Sequence, residues 1–217
     1  MPEETSRRAR VLDPVERASE AIFGVLMAVS ITGSLSVASA GSEGTRTMVV
    51  AALGCNVAWG LTDAVMYLLS AVTEQNRRIM LLQRLREITD PRAAHELVAA
   101  ALPSRFAGGA SAETLEAIRE RLVAIPVPRV ALGASDFSGA LGVFLIVVLS
   151  TFPVVIPFLF FRDTALAMRA SNALAIVTLY AYGHLLGRHA GRKPWRYGLT
   201  VAAVGVGLVA VIMALGG

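Results

Sequence analysis

The chain is short of the residues from which most soluble active sites are built. Its 217 residues include 1 cysteine and 3 histidines, and only 17% of them are charged. The cysteine, Cys55, stands inside an apolar run, so it offers no disulfide framework and no sign of a redox compartment; it reads as a packing residue. No glycine-rich phosphate loop, nucleophile elbow or HExxH pattern occurs, which removes the usual signatures of soluble catalysis. The expectation is a protein that is not an enzyme and holds no resident cofactor. Charge is also missing from five long stretches. Ala21–Ala40, Thr47–Thr73, Phe137–Phe161, Ala170–Gly187 and Tyr197–Gly217 carry no formal charge apart from Asp63.

What fills the chain instead is apolar: 55% of residues are hydrophobic and the mean hydropathy is +0.61. Each of the five runs is long enough to cross about 30 Å of hydrocarbon at about 1.5 Å per helical residue. Pro153 and Pro157 do not argue against helix, because neighbouring helices satisfy freed backbone groups in a bundle. The sequence therefore predicts an all-α polytopic membrane protein. Its five transmembrane helices fall over residues 21–40, 47–73, 137–161, 166–187 and 197–216, with a small helical cytoplasmic insertion over 74–135.

Basic residues orient these spans. Seventeen of the 20 Lys and Arg residues lie before the first run, between the second and third, or between the fourth and fifth. The other side holds only Arg46, Arg162 and Arg169. This positive-inside asymmetry predicts a cytoplasmic N-terminus and an outside C-terminus, with the cell inner membrane as location. Trp195 and Tyr197 then sit where an aromatic anchor would. The net charge of +4 follows from the same asymmetry, so membrane lipids are the expected partners and no nucleic acid is needed. Val37–Gly41, "VASAG", has the small-x-small form of a signal-peptide cleavage site. The acidic residues before the apolar run, and that run's length, favour a retained first helix.

In the insertion, "TEQNRRIMLLQRLREI" carries Ile79, Leu82 and Leu85 at helical spacing, "DPRAAHELVAAAL" opens on an Asp90 cap, and "SAETLEAIRERLVAI" opens on Ser111. Three short helices are expected, folding against each other, a partner copy or the membrane surface. Glu113, Glu116 and Glu120 share a face, but Arg119 and Arg121 are interleaved and solvated surface charge is the reading. His95 and His184 are assigned no ligand role.

Asp63 poses the sharpest question. In a helix over 47–73 it falls about 5 Å past the midpoint, where an ionised carboxylate costs about 2.5–3.5 kcal/mol even on the gentlest insertion scale. Asn56, Gly60, Asp63, Tyr67, Ser70 and Glu74 recur at intervals of three or four and form one polar stripe bordered by Met66. The first helix offers a matching line of Glu16, Glu20, Met27, Ser30 and Ser34. Carboxylates supply charge to a divalent cation, and thioether sulfur favours a transition metal over Mg²⁺ or Ca²⁺. The candidate metal-ligating set is accordingly Asp63, Met27, Met66, Glu16, Glu20 and Glu74, with Fe²⁺ or Mn²⁺ as cargo. The opposing reading makes Asp63 a hydrogen-bonding residue and both methionines packing residues.

Five helices, a cytoplasmic N-terminus, a three-helix insertion after the second helix, Glu16 and Glu20 leading into the first helix, and the proline-bearing "STFPVVIPF" together resemble the vacuolar iron transporter family, over Glu16 to about Gly207. The resemblance implies a homodimer whose first helices line a central path, carrying ferrous iron or manganese out of the cytosol in exchange for protons. It implies that Glu16 and Glu20 are entrance carboxylates and that Met66 and Tyr67 occupy the place of a Glu-Tyr pair. Val25–Met27 stand where that family has Asn-Asp-Gly, so Asp63 would have to supply the missing carboxylate from the second helix. The insertion also lacks the family's dense Glu and Met. Gly24 with Ala28, and Ser30 with Ser34, are small residues at spacing four that permit close approach in a dimer. The alternative is a non-transporting membrane scaffold or regulator that keeps the fold.

Overall fold

A computed structural model of the chain describes residues 14–38, 45–102, 106, 108–127, 129–191 and 193–214. These residues form α-helices and connecting turns, with no strand among them. The helices are α1 (Pro14–Ala38), α2 (Thr45–Glu87), α3 (Pro91–Ala101), α4 (Ala112–Ala124), α5 (Ala134–Ser150), α6 (Phe152–Phe160), α7 (Thr164–His189) and α8 (Pro194–Ala214). The chain divides into two compact units, residues 1–68 with 134–217 and residues 69–133. Residues 39–44, which complete the Val37–Gly41 stretch, and residues 215–217 lie outside the described residues, as do Arg7, Arg8, Arg10, Arg105 and Arg192.

Three boundaries differ from the sequence reading, each for a local reason. Helix α1 begins at Pro14, a residue suited to the first helical turn, so Glu16 and Glu20 are part of the helix itself. Helix α2 runs unbroken for 43 residues to Glu87. The expected separate helix over Thr73–Ile88 is its continuation, because no proline, glycine or cap interrupts the chain between Gly60 and Glu87. The expected single helix over 137–161 is instead two. Pro153 has no N–H to donate and disfavours helical backbone before it. The ladder tightens where the Thr151 N–H bonds to the Val148 carbonyl at 3.2 Å, and α6 restarts at Phe152.

In the first unit α7 packs against α1, α6 and α8. Its buried positions Ala167, Ser171, Ala175, Leu179, Gly183 and Gly187 recur every four residues and draw one line along the helix. Val25, Ala28, Val29, Val154, Ala175 and Leu179 make the main core, and Met48, Phe158 and Ala167 a second one. Asp163 caps α7 by accepting from the Ala165 N–H at 2.9 Å. The chain leaves α7 through Gly191, whose φ of +66° suits a residue without a Cβ.

The second unit closes on its own core of Leu85, Val98 and Leu115. Asp90 and Ser111 cap α3 and α4 through their side chains, as their spacing predicts. Arg86 donates to the Val123 and Ile125 carbonyls at 3.0 and 2.6 Å, which ties down the end of α4. Glu116 departs from the surface reading. It lies 2.7 Å from His95 Nε2 and accepts from Arg119 Nε at 3.0 Å. These bonds, the one to His95 first, hold its carboxyl below the usual carboxylate range.

Candidate functional site

Helices α1 and α2 run antiparallel, and two contacts fix their register. Asn56 Nδ2 donates to the Gly24 carbonyl at 3.1 Å. Phe23 and Trp59 meet edge to face with centroids 6.0 Å apart. Glu20 lies within Coulombic reach of Asp63 and of Glu16. Helix α5 joins at the same end: Tyr67 lies within Coulombic reach of Asp136 and Glu16, and its ring covers Gly139, where a Cβ would leave it no room. Four carboxylates from three helices thus lie toward this end, Glu20 within reach of Asp63 and Glu16, and Tyr67 within reach of Asp136 and Glu16.

Within this group the Asp63 Oδ2 is buried and has no hydrogen-bond partner, and among the described residues no cation pairs with Asp63 or Glu20. Like charges held within reach of one another attract a cation or a proton. The carboxylates are nevertheless spread out. Among the described residues no three Asp, Glu, His or Cys side chains come close enough to hold one metal ion.

The register also changes the depth of Asp63. The apolar window Val15–Ser36 of α1 has its middle near Val25, level with Asn56. Asp63 lies seven residues further along α2, or about 10 Å toward the α1 N-terminus. At mid-height the stripe instead places Asn56, which is 0% exposed, as is its partner Thr151. Asn56 Nδ2 also donates to Thr151 Oγ1, and Thr151 and Ser150 both donate to the Val147 carbonyl, at 3.4 and 2.7 Å. The node sits where α5 gives way to α6, and Gly24 lets α1 approach Ser150 and Val147 closely. Sequence reasoning named Asn56 only as a member of the stripe. Its spacing to Gly60 and Asp63, together with the kink signal before Pro153, was the signal available for the node.

The remaining predicted ligands separate. Met66 is 54% exposed. Met27 is partly buried and, by register, stands about 18 Å along the bundle from Met66, so the chain does not bring both sulfurs to Asp63. Glu74 belongs to the second unit and pairs with Arg78 at 3.1 Å across one helical turn. Gly24 and Ala28, expected on a dimer face, are buried within the chain. Their small size serves the approach of α1 to its own neighbours, while Ser34 of the same helix is exposed.

Four helical stretches are long and apolar enough to cross a membrane, over Val15–Ser36, Arg46–Glu87, Ala134–Phe160, where α5 and α6 count as one, and Pro194–Ala214. Fold and composition together define an α-helical membrane protein. No family model matches the chain, and no curated protein matches it.

Proposed function

We propose that the chain is a secondary transporter that moves divalent transition-metal ions, Fe²⁺ or Mn²⁺, out of the cytosol in exchange for protons. The observation that carries this reading is the buried Asp63 Oδ2 without a hydrogen-bond partner, within Coulombic reach of Glu20 and with no cation paired to either carboxylate among the described residues. Hard oxygen donors at the end of a helix bundle attract a hydrated divalent cation, and intramembrane carboxylates serve ion or proton pathways more often than packing. The resemblance of Glu16, Glu20 and the proline-bearing α5–α6 segment to the vacuolar iron transporter family supports the same ion class. On this reading α7 is a fifth span over 166–187, the N-terminus and the second unit are cytoplasmic, the C-terminus is outside, the host is the inner membrane, and two copies pair along α1. Met27, one turn from Ser30 on that helix, would meet its counterpart across the pair.

The test is uptake into proteoliposomes across Fe²⁺, Mn²⁺, Co²⁺ and Zn²⁺. Asp63→Asn keeps size and removes charge, so flux per folded protein falls at least tenfold if the carboxylate binds the ion. Unchanged Fe²⁺ and Mn²⁺ flux in that variant would sink the metal-site reading. A second reading, a membrane scaffold or regulator without transport, is favoured by the tight packing of the node at mid-height, where Asn56, Val25 and Ala28 are each 0% exposed. Wild-type proteoliposomes without uptake of any of the four ions would select it.

A further inference from the structure

At the other end of the first unit, between α1, α7 and α8, lies a cleft of about 480 Å³. Its lining includes Val29, Ile176 and Val209, which lie toward mid-helix, and Ser36, Arg169 and Asn172, which lie nearer the helix ends. Along α7, where its lining runs furthest, from Ala165 to Ile176, the cleft is roughly 16 Å long. An apolar slot of this volume with a few polar groups at one end is the form of a small-molecule site. Arg169 adds the chemistry. It stands in the second turn of α7, and among the described residues no carboxylate pairs with it. An arginine on a helix within the bilayer pairs with an anion or reaches the headgroup layer, and its fork of donors suits phosphate.

We propose that this cleft binds one anionic phospholipid, with an acyl chain along Val29, Ile176 and Val209 and the headgroup phosphate on Arg169 and Asn172. The polarity gradient sets the lipid's direction, and the unpaired guanidinium sets its charge. The site is separate from the carboxylates of α1, α2 and α5 and does not depend on the transport reading, but it rests on α7 being the proposed fifth span.

Native mass spectrometry of the full chain, purified in mild detergent and offered equal phosphatidylglycerol and phosphatidylcholine, tests the assignment. The wild type should keep one phosphatidylglycerol after the remaining lipid has exchanged. Arg169→Gln should lower the preference for phosphatidylglycerol roughly fivefold, the effect of about one basic residue. Ala173→Phe, which fills the cleft from α7, should release both lipids. Lys193→Gln with Arg196→Gln, which removes the basic rim at the opposite end of α7, should leave the retained lipid in place. The proposal is overturned if Arg169→Gln retains phosphatidylglycerol as the wild type does, or if the Lys193 and Arg196 changes alone abolish retention, which would make the bound lipid part of the general shell. Near-native melting of the Ala173→Phe protein shows that loss of lipid is not loss of fold, and Arg169→Gln decides the matter if that variant does not fold.

Discussion

Gly24→Ala tests the packing at the centre of the first unit with a single carbon atom. A Cβ on Gly24 would fall against Ser150 Oγ, 2.9 Å from the Val147 carbonyl oxygen and 3.3 Å from Ser150 Cβ. The hydroxyl can rotate away only by giving up its 2.7 Å bond to the Val147 carbonyl; the carbonyl is backbone and moves only with α5. Overpacking of this kind costs about 1–3 kcal/mol, and the lost intrahelical bond adds about 0.6 kcal/mol, typical for hydrogen bonds within membrane bundles. Replacing glycine in a helix returns about 0.5–1 kcal/mol, so the expected net loss is about 0.6–3 kcal/mol. Ser150→Ala removes the clashing oxygen, and the double variant should recover about 1 kcal/mol relative to the sum of the single changes. Unfolding in mixed micelles by titration with a denaturing detergent supplies the four stabilities of the cycle. Strict additivity would refute the reasoning. Any dimer should survive Gly24→Ala, because the residue faces the chain's own helices.

Three further outcomes are expected. Gly183→Ile should destabilise the α7–α8 pair by about 1–3 kcal/mol, since a Cβ there meets the Tyr197 carbonyl and Val201 at 2.8 Å; limited proteolysis between α7 and α8 should speed up accordingly, and unchanged protection would contradict the close seam. Glu116 has a lowered folded value, so its stabilising share is complete above the ordinary carboxylate range and disappears as pH falls through the lowered value. Hydrogen exchange in α3 and α4 should accelerate over that interval in the wild type and not in Glu116→Gln, and equal acid sensitivity of the two would remove the role given to the His95 and Arg119 bonds. Cysteines placed near Gly109 should be labelled from the cytoplasmic side only; labelling from outside would reverse the proposed orientation.

Much of the helical architecture was legible because lipid imposes one rule, that long uncharged runs become helices. Asp90 and Ser111 were legible as caps because capping is a matter of three or four neighbouring residues. The α5–α6 break was foreshadowed by Pro153, but only register with α1 and α2 gives Thr151 its partner. The same limit applied to Asp63. Counting along one helix placed it near the middle of a span, whereas antiparallel pairing with Gly24 and Glu20 puts Asn56 there. Helical spacing also grouped Met66 and Glu74 with Asp63, but one is exposed and the other is matched to Arg78. The Glu116 bond to His95 spans two helices, and no pattern along either one announces it.

The line of small residues along α7 bears on how the protein reaches its membrane. Ser171, Asn172, Thr178, Tyr180 and His184 make α7 the long helix of the first unit that is not among the four apolar enough to cross on their own. Gly183 and Gly187 lie against Tyr197, and Gly198 lies against Tyr180, so α7 and α8 interlock from both sides. Only a few residues join them. On the proposed five-span reading, the apolar α8 carries α7 into the bilayer as one interlocked hairpin.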